Sequence, residues 1–285
     1  MAGFFNYSKA GQGVRKEDLE KSGLGLYFDI LGRRLWKLMT LNLMYIAISI
    51  PAIIIAYIIS TYLLSFFLSL PKEKIEISEI SDVIKIITMF MTVILFQFFG
   101  SGPATASMTY ILKTYVKDTH VWIFSDFFEQ FKKNFKQGLA VYLINTFVSF
   151  ALIVAYIFYS FIMRNSLGDI LAFVIIITAA FFTMMQMYTY QLMAGFDFKV
   201  KDIYKNSLLL TMIKLPWNIL TAALIFVFMY AMYSIYLTSP LIAIILFIVI
   251  YIVLVNFTQI FMTNNIIKEY VLEPSLKKET EKSEE

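Results

Sequence analysis

The sequence predicts an all-α, polytopic membrane helical bundle with about six transmembrane helices, and three observations lead there. The 285-residue chain is 59% hydrophobic and only 15% charged, whereas soluble domains run at roughly 45–50% apolar and about 25% charged. The apolar excess is gathered into long charge-free blocks, each near the ~20 residues a helix needs to cross a bilayer core. The basic residues fall almost wholly in alternate segments between those blocks. One soluble core cannot hide several such blocks, so the membrane is the solvent the pattern requires.

Taken in order, residues 1–40 form a polar N-terminal arm. It does not read as a cleavable signal, because the first apolar block, Leu41 to Leu70, is far longer than a signal core. Within the arm, Phe28, Leu31, Leu35 and Leu38 recur at helical spacing, with Arg33, Arg34 and Lys37 elsewhere. This predicts an amphipathic helix at 24–40, lying in the membrane interface. The membrane domain, 41–263, carries six charge-free runs at roughly 41–68, 86–112, 139–163, 170–196, 217–237 and 241–263. Thr238, Ser239 and Pro240 alone part the last two, which predicts an antiparallel hairpin; residues 164–169 join the third to the fourth. Between the second and third runs, Phe124, Phe128, Phe131 and Phe135 recur every three or four residues. They predict a second interfacial helix, capped by Ser125, with Asp126 and Glu129 in its first turn and Lys132, Lys133 and Lys136 in its last. Residues 264–285 form a charged tail.

Orientation follows from the charges. Of the 24 Lys and Arg residues, 20 lie in the N-terminal arm, the second and fourth loops and the tail. The positive-inside rule places those segments, and so both termini, in the cytoplasm. Three basic aromatic lead-ins, Arg33 to Lys37, Lys132 to Lys136 and Lys214 to Trp217, each precede a pair of runs, with Asn42, Asn145 and Asn218 close behind. They suggest a weak internal repeat.

The most distinctive motif is the small-residue stretch Gly100, Ser101, Gly102, Pro103, Ala104, Thr105. Gly100 and Ala104 have the spacing that lets helices approach closely. Pro103 lacks a backbone N–H and predicts a kink. A broken helix can also turn backbone polar groups toward a ligand, so Gly100, Ser101, Gly102, Pro103 and Thr105 form the candidate kink or ligand region. Ser101 between glycines superficially offers a nucleophile, but the single histidine, His120, lies nineteen residues on, beside Trp122. A base so far along the chain is out of reach of that serine. There is no cysteine, hence no thiolate chemistry. None of the runs contains Asp, Glu, Lys or Arg, the residues that mark proton relays and ion paths. The polar groups left are Gln97, Asn145, Gln186, Gln191, Asn218, Asn256 and Gln259, which suit interhelical hydrogen bonds or a neutral polar ligand such as a sugar. Glu73, Glu76, Glu79 and Asp82 read as a solvated acidic face of the first loop. No nucleotide fingerprint is present. We therefore expect no enzyme activity, no cofactor, no metal and no nucleic-acid partner.

Three stretches resemble the YesL-like family of bacterial integral membrane proteins. They are Gly3-Phe4-Phe5-Asn6-Tyr7-Ser8-Lys9 with Gly11 and Gly13, Gly102-Pro103-Ala104-Thr105-Ala106 through Met108-Thr109-Tyr110, and Trp122 to Phe128 with Phe131 to Phe135. The resemblance implies a multi-pass protein of the bacterial cell membrane associated with carbohydrate uptake, and no catalytic residues. The expected function is an accessory or regulatory component of carbohydrate import, with the lipid bilayer and membrane subunits of a sugar importer as partners. The alternative is a permease for a neutral, sugar-like small molecule.

Overall fold

A computed structural model describes residues 23–69, 102–163 and 165–274. Among these every regular element is helical: α1 (Gly23–Ser69), α2 (Pro103–Val116), α3 (Ile123–Lys133), α4 (Phe135–Ile157), α5 (Ser166–Gly195), α6 (Val200–Ile213), α7 (Leu215–Thr238), α8 (Pro240–Leu246) and α9 (Ile252–Ile267). Single π-helical turns follow α4, join α8 to α9 and follow α9, at Phe158–Ile162, Phe247–Tyr251 and Lys268–Leu272.

The chain divides into two units, residues 1–35 and 36–285. The described part of the first is the opening of α1, where Arg33 pairs with Asp29 one turn earlier at 2.7 Å. Among the described residues of the second unit, four stretches are long and apolar enough to cross a membrane: Phe135–Ser160, Ser166–Gly195, Leu215–Thr238 and Pro240–Leu272. They correspond to the last four expected runs. The expected first run, 41–68, falls within α1. Of the expected second run, 86–112, only residues 102–112 are described. The outward faces fit a lipid solvent. Phe147, Phe173, Phe226 and Leu241 are each more than 60% exposed, and so much bare apolar surface would be untenable in water.

Helix starts follow the local sequence. Pro103, Pro216 and Pro240 each stand in the first two positions of a helix, where a missing N–H costs no intrahelical bond. The Asn165 side chain caps α5 by accepting from Gly168 N at 2.8 Å. Helix α3 departs from expectation. It begins at Ile123, so Ser125 is not its cap; instead Asp126 Oδ2 accepts from Trp122 N at 2.9 Å. Phe127 and Gln130 are buried, while Phe124, Phe128 and Phe135 stay exposed.

The lead-ins at 132–136 and 214–217 share one construction. A short helix ends at a single non-helical residue, Asn134 or Lys214, and a long apolar helix starts at once. The ends of α2, α5 and α9 meet the starts of α4 and α7 at one pole of the bundle. Lys113 Nζ donates to Gln191 O at 2.8 Å, and Trp217 Nε1 donates to Met262 O at 2.7 Å. Gln137 Nε2 donates to Phe198 O, and Lys214 lies 3.5 Å from Glu269. The turns at Asn165 and Ser239 stand at the other pole.

Two contacts set the geometry of the core. Gly102 sits against Gly138 of α4 so closely that a Cβ on Gly102 would lie 2.6 Å from Gly138 O. Asn42, fully buried on α1, spans the π-turn after α8. Its Nδ2 donates to Phe247 O (3.0 Å) and Ile248 O (2.7 Å), and its Oδ1 accepts from Val253 N (2.9 Å). A π-turn breaks the regular ladder of backbone bonds, and lipid offers no partner for the groups it releases. One amide supplies three.

Candidate functional site

Between α1, α2, α4, α5 and the π-turn before α9 lies a chamber of about 420 Å³. Its lining is wholly uncharged, built from Tyr45, Thr105, Tyr142, Asn145, Ser149, Thr183, Gln186, Tyr190, Asn256 and Gln259, with Phe182, Phe247 and Ile252 as apolar wall. Every polar group sits where its helix passes the cavity. Tyr45 OH and Thr105 Oγ1 share a hydrogen bond of 3.3 Å between α1 and α2. Asn145 and Gln186 face each other across α4 and α5 as a reciprocal amide pair. Asn145 Nδ2 donates to Gln186 Oε1 at 2.5 Å, and Gln186 Nε2 donates to Asn145 Oδ1 at 2.8 Å. The Tyr204 hydroxyl of α6 also donates to Asn145 Oδ1. Asn256 Nδ2 donates to Ile252 O at 2.8 Å, and Gln259 Nε2 reaches Met187 O at 3.1 Å.

This arrangement offers amide and hydroxyl donors and acceptors beside aromatic rings. Each primary amide has two donor hydrogens and an oxygen with two lone pairs, so the bonds just named leave capacity for a ligand. A carboxylate or ammonium ligand would find no counter-charge in the lining. A neutral molecule dense in hydroxyls would find matched partners.

Of the seven amides singled out in the sequence, Asn145, Gln186, Asn256 and Gln259 line the chamber. The other described two serve packing. Asn218 Nδ2 donates to Leu210 O and Thr211 O, both at 3.1 Å, and its Oδ1 accepts from Tyr188 OH. Gln191 Nε2 donates to Thr263 Oγ1 at 2.6 Å and to Met187 O at 2.7 Å. Gln97, Gly100 and Ser101 lie outside the described residues, as do Glu73, Glu76, Glu79 and Asp82. In the small-residue stretch, Gly102 makes a helix contact, and Pro103 opens α2 with its carbonyl accepting from Ser107 Oγ at 3.0 Å. Thr105 alone of the described candidates reaches the chamber. The tyrosines were not singled out beforehand. In a sequence with 18 Tyr, nothing at Tyr45, Tyr142 or Tyr190 marks them before the helices are packed. His120 is exposed, its ring 5.1 Å from that of Trp122.

A family model described as "Protein of unknown function, DUF624" matches residues 83–156 of the 285. The matched segment carries Gly102, Thr105, Gly138 and Asn145, and so the glycine contact and one side of the chamber. Neither the curated proteins nor the solved structures contain a match to the chain.

Proposed function

We propose that this membrane protein binds a neutral, hydroxyl-rich small molecule of the sugar class within its helical bundle, as a permease-like component of carbohydrate uptake. The observation that supports the reading is the uncharged chamber, in which four amides and several hydroxyls converge from separate helices. Pockets for small ligands typically span about 300–1,000 Å³ and combine an apolar wall with a few placed polar groups. The reading favours transport or binding of the solute itself over a purely accessory role, because an accessory subunit needs no polar-lined cavity within its bundle. The resemblance to the YesL-like family supplies the link to carbohydrate, and membrane subunits of a sugar importer remain the partner to seek.

In this proposal the protein sits in the bacterial cell membrane with six spans, α1 and residues 86–112 supplying the first two. Both termini are cytoplasmic, as the basic bias requires. Helix α3 lies in the interface with its bare phenylalanines toward lipid. The proposed role is binding: the amides and hydroxyls of the chamber supply hydrogen bonds to a solute.

The test is binding and uptake with the purified full chain. A panel of neutral mono- and disaccharides is titrated in nanodiscs, and the same sugars are offered to proteoliposomes. At least one sugar should bind saturably, and Asn256→Leu should weaken it about tenfold or more, the cost of one unpaired polar group of ~1–3 kcal/mol. If every sugar fails to bind and to enter, the reading is wrong. A sugar that binds the Asn256→Leu variant undiminished would move the site elsewhere.

A further inference from the structure

A second cavity, of about 490 Å³, lies at the pole where α2, α5 and α9 end. It carries Lys113, Lys117 and Lys268, with Asn264 and Asn265 as amide donors, and among the described residues no carboxylate lines it. The arrangement around Lys113 is specific. Lys113 is 8% exposed, and among the described residues no carboxylate pairs with it. The ammonium donates to Gln191 O at 2.8 Å and stands 5.5 Å from the centre of the Phe196 ring. Gly195 makes the room: a Cβ there would lie 2.3 Å from Lys113 Nζ. An ammonium has three donor hydrogens, and the carbonyl engages one.

A bland explanation is available, since lysines also neutralise the carbonyls at helix C-termini. Magnitudes decide against it as the whole account. A helix end carries roughly half a negative charge, so three ends together amount to about half of what three ammonium groups supply. A net positive cavity with free donors remains. Withdrawing an ammonium from water costs several kcal/mol unless a partner offsets it, and such a site gains most from a dianion.

We propose that this cavity is a binding site for a phosphoryl group, presented either by an anionic lipid headgroup or by a soluble phosphate ester. The ligand's oxygens sit on the Lys113 ammonium, with Lys117 and Lys268 closing from the rim and Asn264 and Asn265 donating beside them. Burial, and then the neighbouring charge of Lys117, lower the Lys113 pKa to about 8. That is the behaviour of an ammonium lacking a counter-ion, and a bound dianion reverses it. Lys113 is the first residue beyond the expected run 86–112, which would set it where headgroups meet the bundle. The site is distinct from the neutral chamber, and its test does not depend on sugar binding.

The experiment presents one chemical group in two forms. Full-length protein in phosphatidylcholine nanodiscs is titrated with glycerol 3-phosphate by calorimetry. Separately, detergent-solubilised protein is exposed to phosphatidic acid against phosphatidylcholine, and retained lipid is counted by native mass spectrometry. Lys113→Met and the exposed pair Lys117→Gln/Lys268→Gln are compared with Lys205→Gln, a lysine outside the cavity; the exposed pair keeps the test open if Lys113→Met fails to fold. Saturable binding of glycerol 3-phosphate identifies a soluble ester, and retention of phosphatidic acid alone identifies a headgroup. In either case the cavity variants should lose at least tenfold in affinity or occupancy while Lys205→Gln keeps wild-type values. The proposal is overturned if neither form binds, or if folded cavity variants bind as the wild type does.

Discussion

Single residues carry more of this fold than their size suggests, and Gly138 is the clearest case. A Cβ at Gly138 would stand 2.9 Å from Pro103 N and 3.0 Å from Gly102 C. Those atoms are backbone, so no rotamer change relieves the clash; α2 and α4 have to separate. Overpacking of this kind typically costs about 1–3 kcal/mol. Gly138→Ala should therefore lower the thermal midpoint in detergent. Gly32→Ala provides the contrast. Gly32 is helical with nothing within 4 Å of its added Cβ, and alanine there should stabilise by up to ~1 kcal/mol. Equal midpoints for Gly138→Ala and wild type would remove the glycine contact from the account. Part of this contact was legible: the small-residue stretch was read for a close approach at Gly100 and Ala104, and the described contact falls at Gly102. Its partner was not, because Gly138 sits unremarkably after Lys136 and Gln137, 36 positions away from Gly102. Lys113 was equally opaque. In sequence it is one more loop lysine, and only the packing of Gly195 against it gives it a buried role.

The elements show why length is readable while irregularity is not. Charge-free runs of about 20 residues mark a membrane helix through hydropathy alone, and residues 241–263 were read as one uninterrupted span. The π-turn at Phe247–Tyr251 within it leaves no trace in hydropathy, because Phe, Ile, Val and Tyr are all apolar enough for any helix facing lipid. The side chain that satisfies its backbone lies about 200 positions earlier, in Asn42. The three asparagines after the lead-ins were legible as a pattern, and each one ties a long helix to a neighbour: Asn42 to the π-turn, Asn145 to Gln186, Asn218 to the end of α6. Asn42→Leu keeps the branching and number of side-chain heavy atoms but strips partners from one N–H and two carbonyls inside the bundle. Each unsatisfied buried group costs about 1–3 kcal/mol. Two outcomes are open to the chain, unfolding or re-registering the turn into an α-helix, and both distort the wall that Phe247 and Ile252 give the chamber. The expected result is a lowered thermal midpoint together with altered hydrogen exchange at residues 247–253. An unchanged exchange profile would show that the π-turn stands without its clamp.

At the scale of the whole molecule, the bundle sorts its charges by pole, and this is where the sequence reading has its largest consequence. Lys113, Lys136, Lys199 and Lys214 all stand at or beside helix ends at the pole where α2, α5 and α9 finish. The opposite pole carries the turn at Ser239, where Thr238, Ser239 and Pro240 bring no ionisable group, and the start of α5, whose first turn holds Asp169. A lysine near the helix centre costs roughly 2.5–3.5 kcal/mol on insertion, and chains resist carrying basic loops across the membrane. The basic pole should therefore be cytoplasmic. The native chain has no cysteine, so single cysteines report position without a background. Thr238→Cys lies at the uncharged turn, and Lys205→Cys lies exposed on α6. In intact cells an impermeant maleimide should label Thr238→Cys and spare Lys205→Cys, and membrane disruption should expose both. The reverse pattern would invert the protein, turning the lysine cavity toward the outside and the Ser239 turn inward. It would also break the link between the basic bias and the fold, since the helix directions would stand while the rule used to orient them failed. Labelling of both sites before disruption would mean that Lys205 is reached through the bundle itself, and with the chamber at its centre that outcome would argue for a permeation path.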